Sequence, residues 1–438
     1  MKILKFGLFD ILFLIGFFLY RILLDWCYFN IISPIFSYSG FHDNSSWEKF
    51  ILSWLLLFLF FISSWYIYSQ ENWRASTMVT FVLGIISFVP FTTCVHAGIL
   101  SKDLIFYFCL YWLLLLILQK ILLHIPIQRF AKLCIFDFAI DDKFIKIVGS
   151  LSLLLVIAIS FFYTGFRMHF NLYDVYGLRL EARNFNMPTI LNYLFAWTRA
   201  VNPILLAYCL VKKKYAIGFL IFFTQMLSFG IDGMKTTFFM PFVILITIII
   251  FDEKFSFIKI KNLIVWGLVI LTSVSIAEYL ATGSYTLASL FIRRLLFVPR
   301  YLDTCYYDFF LTNEPDFFRS SFLRHFGFIS PYTGSDNGIP FIIGAQYFGN
   351  PNMNCNNGFF SDAISNFGSY GVLIMPFFLI FFLYLFDKSV LYLNRKLIIV
   401  PIFLFILGIN STFLLTELLT HGMLILMFLF SLMKPDHN

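Results

Sequence analysis

Phe50-Ile51-Leu52-Ser53-Trp54-Leu55-Leu56-Leu57-Phe58-Leu59-Phe60-Phe61-Ile62-Ser63-Ser64-Trp65-Tyr66-Ile67-Tyr68 carries no charged residue. A helix needs about 17–25 predominantly apolar residues to cross bilayer hydrocarbon, and this stretch supplies them. Lipid offers no partner to an unpaired backbone group, and nothing here alternates as a barrel strand does, so the stretch reads as a membrane helix. Apolar windows of the same kind predict about twelve spans, near 8–31, 48–68, 76–97, 104–123, 146–163, 189–211, 216–230, 236–251, 263–281, 371–387, 397–415 and 419–433. The surroundings of Gly230 and Glu417 mark their bounds least clearly. Composition agrees: of 438 residues 60% are hydrophobic and 13% charged, with mean hydropathy +0.85, against about a quarter charged in soluble domains.

The expectation is an all-α polytopic membrane protein forming one integral membrane domain over 1–438, without repeats or a soluble domain. The start, Met1-Lys2-Ile3-Leu4-Lys5, is like a signal n-region, but the apolar run that follows is too long and lacks a small-residue cleavage site; it is read as a retained first anchor. Seven cysteines form no C-x-x-C pair, so neither zinc nor a disulfide framework is indicated. Cys305 and Cys355 share one outer segment, where they could pair if it is exported, but two buried free thiols are the expectation. Seven histidines show no H-x-H or H-E-x-x-H spacing, so no metal site and no cofactor is read.

Orientation follows from lysine. Lys2, Lys5, Lys132, Lys143, Lys146, Lys212, Lys213, Lys214, Lys254, Lys259, Lys261, Lys388, Lys396 and Lys434 fall on one side of the expected topology, which is therefore cytoplasmic. Both termini are then cytoplasmic, a segment at 164–188 faces outward, and so does the longest connection, 282–370. Loops that long are usually functional.

Arginine runs against that trend. Arg167, Arg179 and Arg183 lie in the first external segment, and Arg293, Arg294, Arg300, Arg319 and Arg324 in the large loop. Guanidinium is the cation whose planar fork grips phosphate or carboxylate bidentately, so an external anion site is expected. The alternative is pairing with Asp174, Glu181, Asp303, Asp308, Glu314 and Asp316, or contact with lipid headgroups. Isolated surface pairs stabilise by only about 0–1 kcal/mol and do not require the grouping of arginines into two segments. Arg21 and Asp25, four apart in the first span, are expected to neutralise one another. Lys235 sits at a glycine-flanked turn, where it either snorkels or contacts phosphate. His325, beside Arg324, is a possible general base, although a lone surface histidine is usually unengaged.

Several stretches resemble one family. Asn354-Cys355-Asn356-Asn357-Gly358-Phe359-Phe360-Ser361-Asp362, running into Asn366-Phe367-Gly368-Ser369-Tyr370-Gly371, is similar to the end of the large periplasmic loop of O-antigen polymerases of the Wzy type. Arg293-Arg294-Leu295-Leu296-Phe297-Val298-Pro299-Arg300 and Tyr306-Tyr307-Asp308-Phe309-Phe310 resemble the start of that loop. Asp174-Val175-Tyr176 with Arg179 looks like the family's earlier external loop, and Gly233-Met234-Lys235-Thr236 like its small-Lys-Ser/Thr turn. The likeness covers most of the chain after about residue 150. Cys355 and Met234 depart from the small residues usual there.

The resemblance implies an integral-membrane glycosyltransferase of the C type in the bacterial inner membrane. Its donor and acceptor would be undecaprenyl-pyrophosphate-linked oligosaccharides, with membrane lipid and a chain-length regulator as further partners and no nucleic acid. Arg179, Arg183, Arg293, Arg294 and Arg300 would then clamp pyrophosphate, with Arg167 and Lys235 assisting. Asp174, Asp308, Asp362 and His325 are the candidates for the base an acceptor hydroxyl needs. Tyr176, Tyr306, Tyr307, Tyr347, Asn354 and Asn356 suit sugar contacts, or equally packing of the loop. Gly358, Gly368 and Gly371 are expected to bend the chain back toward the membrane. The rival readings are an O-antigen ligase and a polysaccharide flippase or transporter; the latter is expected to hold ionisable groups at midplane and often inverted repeats.

Overall fold

The computed structural model describes residues 8–68, 73–128, 142–166, 175–251, 256–321, 323–332 and 338–433. Among these the chain is all-helical, with no strand, and nine helices are long and apolar enough to cross a membrane. They cover nine of the twelve expected spans. The other three are shorter helices, Lys235–Ile250 of 16 residues, Arg395–Ser411 of 17 and Met423–Leu432 of 10. Lys235–Ile250 has the length of the span expected at 236–251, and Gly233, left-handed at φ 61°, ends the helix before it; a π-helical turn, Thr416–Thr420, followed by Gly422 at φ 81°, interrupts the last pair.

The helices fall into two compact units. The first comprises Met1–Pro126, Ser256–Tyr384 and Ile406–Leu414. At its centre stands Ala75–Ala97, buried at every residue but His96. Ser76, Thr77, Thr80, Gly84, Ser87, Thr92 and Thr93 keep it slim, which suits a setting where helices gain little from hydrophobicity and associate through close packing. Phe60 stacks on Phe88 at 4.3 Å, and Phe91 on Phe108 at 4.1 Å. Leu8–Cys27 lies along Phe257–Thr282, where Asn262 Nδ2 donates to the Phe9 carbonyl at 3.0 Å. On Trp47–Tyr68 the residues Ile51, Leu55, Phe58, Leu59, Ile62 and Tyr66 recur on one helical face and stay exposed. Such a stripe is what a helix presents to lipid.

Arg21 and Asp25 do share a face and form an ion pair. The pair also recruits partners: Arg21 Nε donates to Thr92 Oγ1 at 2.9 Å, its Nη2 to Ser53 Oγ at 3.2 Å, and His96 Nδ1 lies 3.1 Å from Asp25. A buried charge is tolerated when it is this fully engaged.

The second unit comprises Ile127–Phe255, Leu385–Phe405 and Leu415–Asn438. Its apolar core joins Val156, Ile159, Phe195, Leu227 and Ile231, flanked by Tyr163, Phe185, Met187 and Leu191. Lys396 Nζ donates to the Ile248 carbonyl at 3.3 Å, so a cation caps the C-terminal end of Lys235–Ile250.

Residues 282–370 are largely helical. A π-helical segment, Ala288–Phe297, leads into Val298–Thr312, followed by Ile339–Phe348 and Phe359–Phe367, the last continuing through a short turn into Gly371–Val390. At Gly358 a Cβ would run into the Ile409 carbonyl and the Asn410 backbone, so glycine permits that contact. Gly358→Ala is therefore expected to cost about 1–3 kcal/mol, read as a lower Tm of purified protein in detergent. Gly267→Ala meets open space and should leave Tm unchanged or slightly higher.

Candidate functional site

In the first unit, the expected site residues on Val298–Thr312 divide by burial. Arg300 is buried, 1% exposed, and lies 3.1 Å from Asp303. Its guanidinium donates to Ser87 Oγ at 2.5 Å and Asn410 Oδ1 at 3.2 Å, and sits over the rings of Phe108 and Phe359. Asp303 accepts in turn from Asn357 Nδ2 at 2.9 Å and Ser361 Oγ at 2.8 Å. Burial pushes the Asp303 carboxyl up to about 6, against the pull of Arg300 and its hydrogen bonds. This arrangement ties several chain segments together.

Asp362 is equally enclosed. Its oxygens accept from Asn366 Nδ2 at 2.7 Å and from the Leu414 N–H at 2.7 Å, so the carboxylate pins the turn after Arg395–Ser411. Tyr306 is buried and donates to the Cys355 carbonyl at 3.1 Å. Asp308 is exposed and accepts from Tyr347 at 2.6 Å; burial, then this bond, raises the Tyr347 hydroxyl above its ordinary range. Tyr307 lines a cavity of about 240 Å³ with Phe310, Pro315, Phe367, Ser369 and Tyr370. Asn354 and Asn356 are exposed, whereas their neighbour Asn357 is the buried one. Cys305 and Cys355 are both buried and free.

Arg294 is exposed, and among the described residues no carboxylate pairs with it. Arg293 stacks on Phe36 at 4.2 Å and donates to Ser289 Oγ at 3.2 Å. Arg319 is engaged by Glu314 at 2.7 Å. Arg324 is exposed. Arg167 and Asp174 lie outside the described residues, while Tyr176, Arg183 and His325 are described in backbone only.

The second unit gathers a different set. Val175–Arg183 packs on Tyr215–Asp232, burying Leu178 and leaving Arg179 half-buried without a hydrogen bond or ion pair among the described residues. Asp232 ends that helix, pairs with Arg199 and accepts from the Met234 N–H at 3.0 Å. Lys235 follows, exposed. The turn at 416–422 meets the same helix as Arg199, because Trp197 Nε1 donates to the Leu419 carbonyl at 2.8 Å. On it His421 Nδ1 lies 2.5 Å from Glu417, with Glu417 buried and His421 partly exposed.

Arg199, Asp232, Glu417 and His421 are absent from the sequence-based site. Two signals were available: an arginine inside an apolar span, and Glu and His four apart, which share a helix face. Arrangements of this kind can hold an anion and move a proton. No family model matches the chain, and comparisons with curated proteins and with solved structures give no match either.

The Asp303 group makes a signed prediction. Its folded value, about 6, lies above the ordinary 3.8, so the folded chain holds a proton that the unfolded chain releases. The stability it contributes therefore falls as pH rises from about 4 to about 6. Asp303→Asn should lower Tm overall, since Arg300 loses its counter-charge, and flatten that slope. A mutant with the wild-type slope would show that Asp303 is not the group responsible.

Proposed function

We propose that this chain is an integral-membrane glycosyltransferase of the C type that polymerises undecaprenyl-pyrophosphate-linked oligosaccharide repeat units into O-antigen or a related surface polysaccharide. It works on the outward face of the bacterial inner membrane, with both termini cytoplasmic. The observation that carries the reading is how the outward-assigned arginines divide. Arg300 and Arg319 are engaged by carboxylates, whereas Arg179 and Arg294 have none among the described residues. A guanidinium held on a folded helix without a carboxylate is available to an anionic ligand.

The chemistry suits that ligand. Transfer of the growing chain releases a polyprenyl pyrophosphate, and fixed cations stabilise the charge developing on it. In this reading Arg179, Arg183, Arg293 and Arg294 are the residues that grip pyrophosphate. Tyr307, in its cavity beside Tyr370, offers an aromatic face to a sugar ring. Arg300 and Asp362 support the fold of the outward segment through their buried networks.

A second reading, transport of the same lipid-linked sugar, draws on one observation. The ionisable groups Arg21, Asp25, Lys261 and Arg199 sit within the apolar helices. Gene deletion separates the two: loss of a polymerase leaves single repeat units on the cell surface, and loss of the transporter leaves none.

Arg179→Ala, Arg183→Ala, Arg293→Ala and Arg294→Ala should each abolish long chains at unchanged expression, scored on polysaccharide ladders. Lysine should restore little, because the ammonium lacks the planar fork. Arg300→Ala is expected instead to deplete folded protein. Wild-type ladders from all four exposed-segment variants would rule out pyrophosphate binding by these arginines.

A further inference from the structure

The reaction proposed above needs a group to take the proton of the acceptor hydroxyl, and the second unit contains an arrangement suited to that task. Thr416–Thr420 is a π-helical turn, and His421 follows it directly. Glu417 is 5% exposed and lies 2.5 Å from His421 Nδ1, while the His421 side chain is 39% exposed. The other ring nitrogen, Nε2, has no hydrogen-bond partner among the described residues. A carboxylate bonded to one imidazole nitrogen fixes the tautomer, turns the ring, and stabilises the imidazolium once a proton arrives at the other.

The surroundings are polar at the same level of the unit. The turn packs on Thr189–Val211 and Met423–Leu432. Thr189–Val211 brings Tyr193, whose ring meets Trp197, and Arg199, itself paired with Asp232. Met423–Leu432 brings no titratable group. Gly422 approaches Ala200 so closely that a Cβ there would stand 3.0 Å from the alanine methyl. The turn is thus seated, not adrift, and in the lysine-derived orientation it lies at the outward end of the last two helices.

We propose that His421 is the general base of the transfer and Glu417 its positioning residue, a role that rests on the polymerase reading. The acceptor sugar O–H gives its proton to His421 Nε2 as its oxygen bonds to the anomeric carbon of the donor. The bond from that carbon to the pyrophosphate oxygen breaks, and its electron pair leaves with the polyprenyl pyrophosphate. The imidazolium, paired with Glu417, then releases the proton to water.

The test uses purified full-length protein and a synthetic undecaprenyl-pyrophosphate-linked repeat unit, with chain growth followed against pH. Wild-type kcat should rise with pH along an acid limb as the base sheds its proton. His421→Ala should lose about 100-fold or more of kcat, lack that limb, and regain activity on addition of imidazole. Glu417→Gln should move the limb to lower pH with KM little changed, because the imidazolium loses its counter-charge. A folded His421→Ala enzyme that works at the wild-type rate, or is slow yet keeps the limb and ignores imidazole, overturns the base assignment alone. Wild-type protein that joins no repeat units overturns the polymerase reading and the dyad's role with it.

Discussion

One buried guanidinium organises the first unit. Arg300 reaches from Val298–Thr312 to Ser87 on the central helix and to Asn410 on Arg395–Ser411, and through Asp303 it engages Asn357 and Ser361. Removing two charges from water costs several kcal/mol apiece unless each is paired and hydrogen-bonded. The segments bearing those partners must therefore assemble together or not at all. Gly358 passes against Ile409 and Asp362 fastens Leu414 within the same neighbourhood, so the 282–370 segment is anchored to the long apolar helices by polar contacts that lipid cannot satisfy.

Much of this was legible in the residues. The apolar windows locate the helices because crossing hydrocarbon demands length and leaves no other backbone solution, and nine of them emerge as full-length helices. The pairing of Arg21 with Asp25 follows from helical spacing. The two places whose bounds the windows leave least clear, near Gly230 and Glu417, are where the structure has the left-handed Gly233 and the wide turn at Thr416–Thr420, because hydropathy averages over a window and does not resolve a turn of a few residues. The helical order inside 282–370 was hidden for another reason: its elements are held by long-range polar contacts such as Asn357 to Pro299, which no local pattern announces.

The candidate site was legible only as a residue type in a segment. Sequence grouped Arg300 with Arg293 and Arg294, yet six residues separate the enclosed guanidinium of Arg300 from the exposed one of Arg294. Asn357 lies beside Asn356 and differs from it in the same way. Whether a polar side chain faces a neighbouring helix or solvent depends on which elements pack against it, and that is decided by tertiary contacts. His421 was passed over because it belongs to no motif; its meaning comes from Glu417 and from the break in the helix that carries both.

The π-helical stretch Ala288–Phe297 has a consequence for how the paired arginines point. Its carbonyls bond five residues ahead instead of four, so each turn holds more residues than the 3.6 of an α-helix. Every side chain beyond the stretch is thereby displaced around the axis relative to an unbroken α-helix. The heading of Arg293 and Arg294, and the seat that Arg300 finds inside the bundle, are set by backbone gearing. Loss of one residue upstream would keep every charge in the chain and re-aim all three.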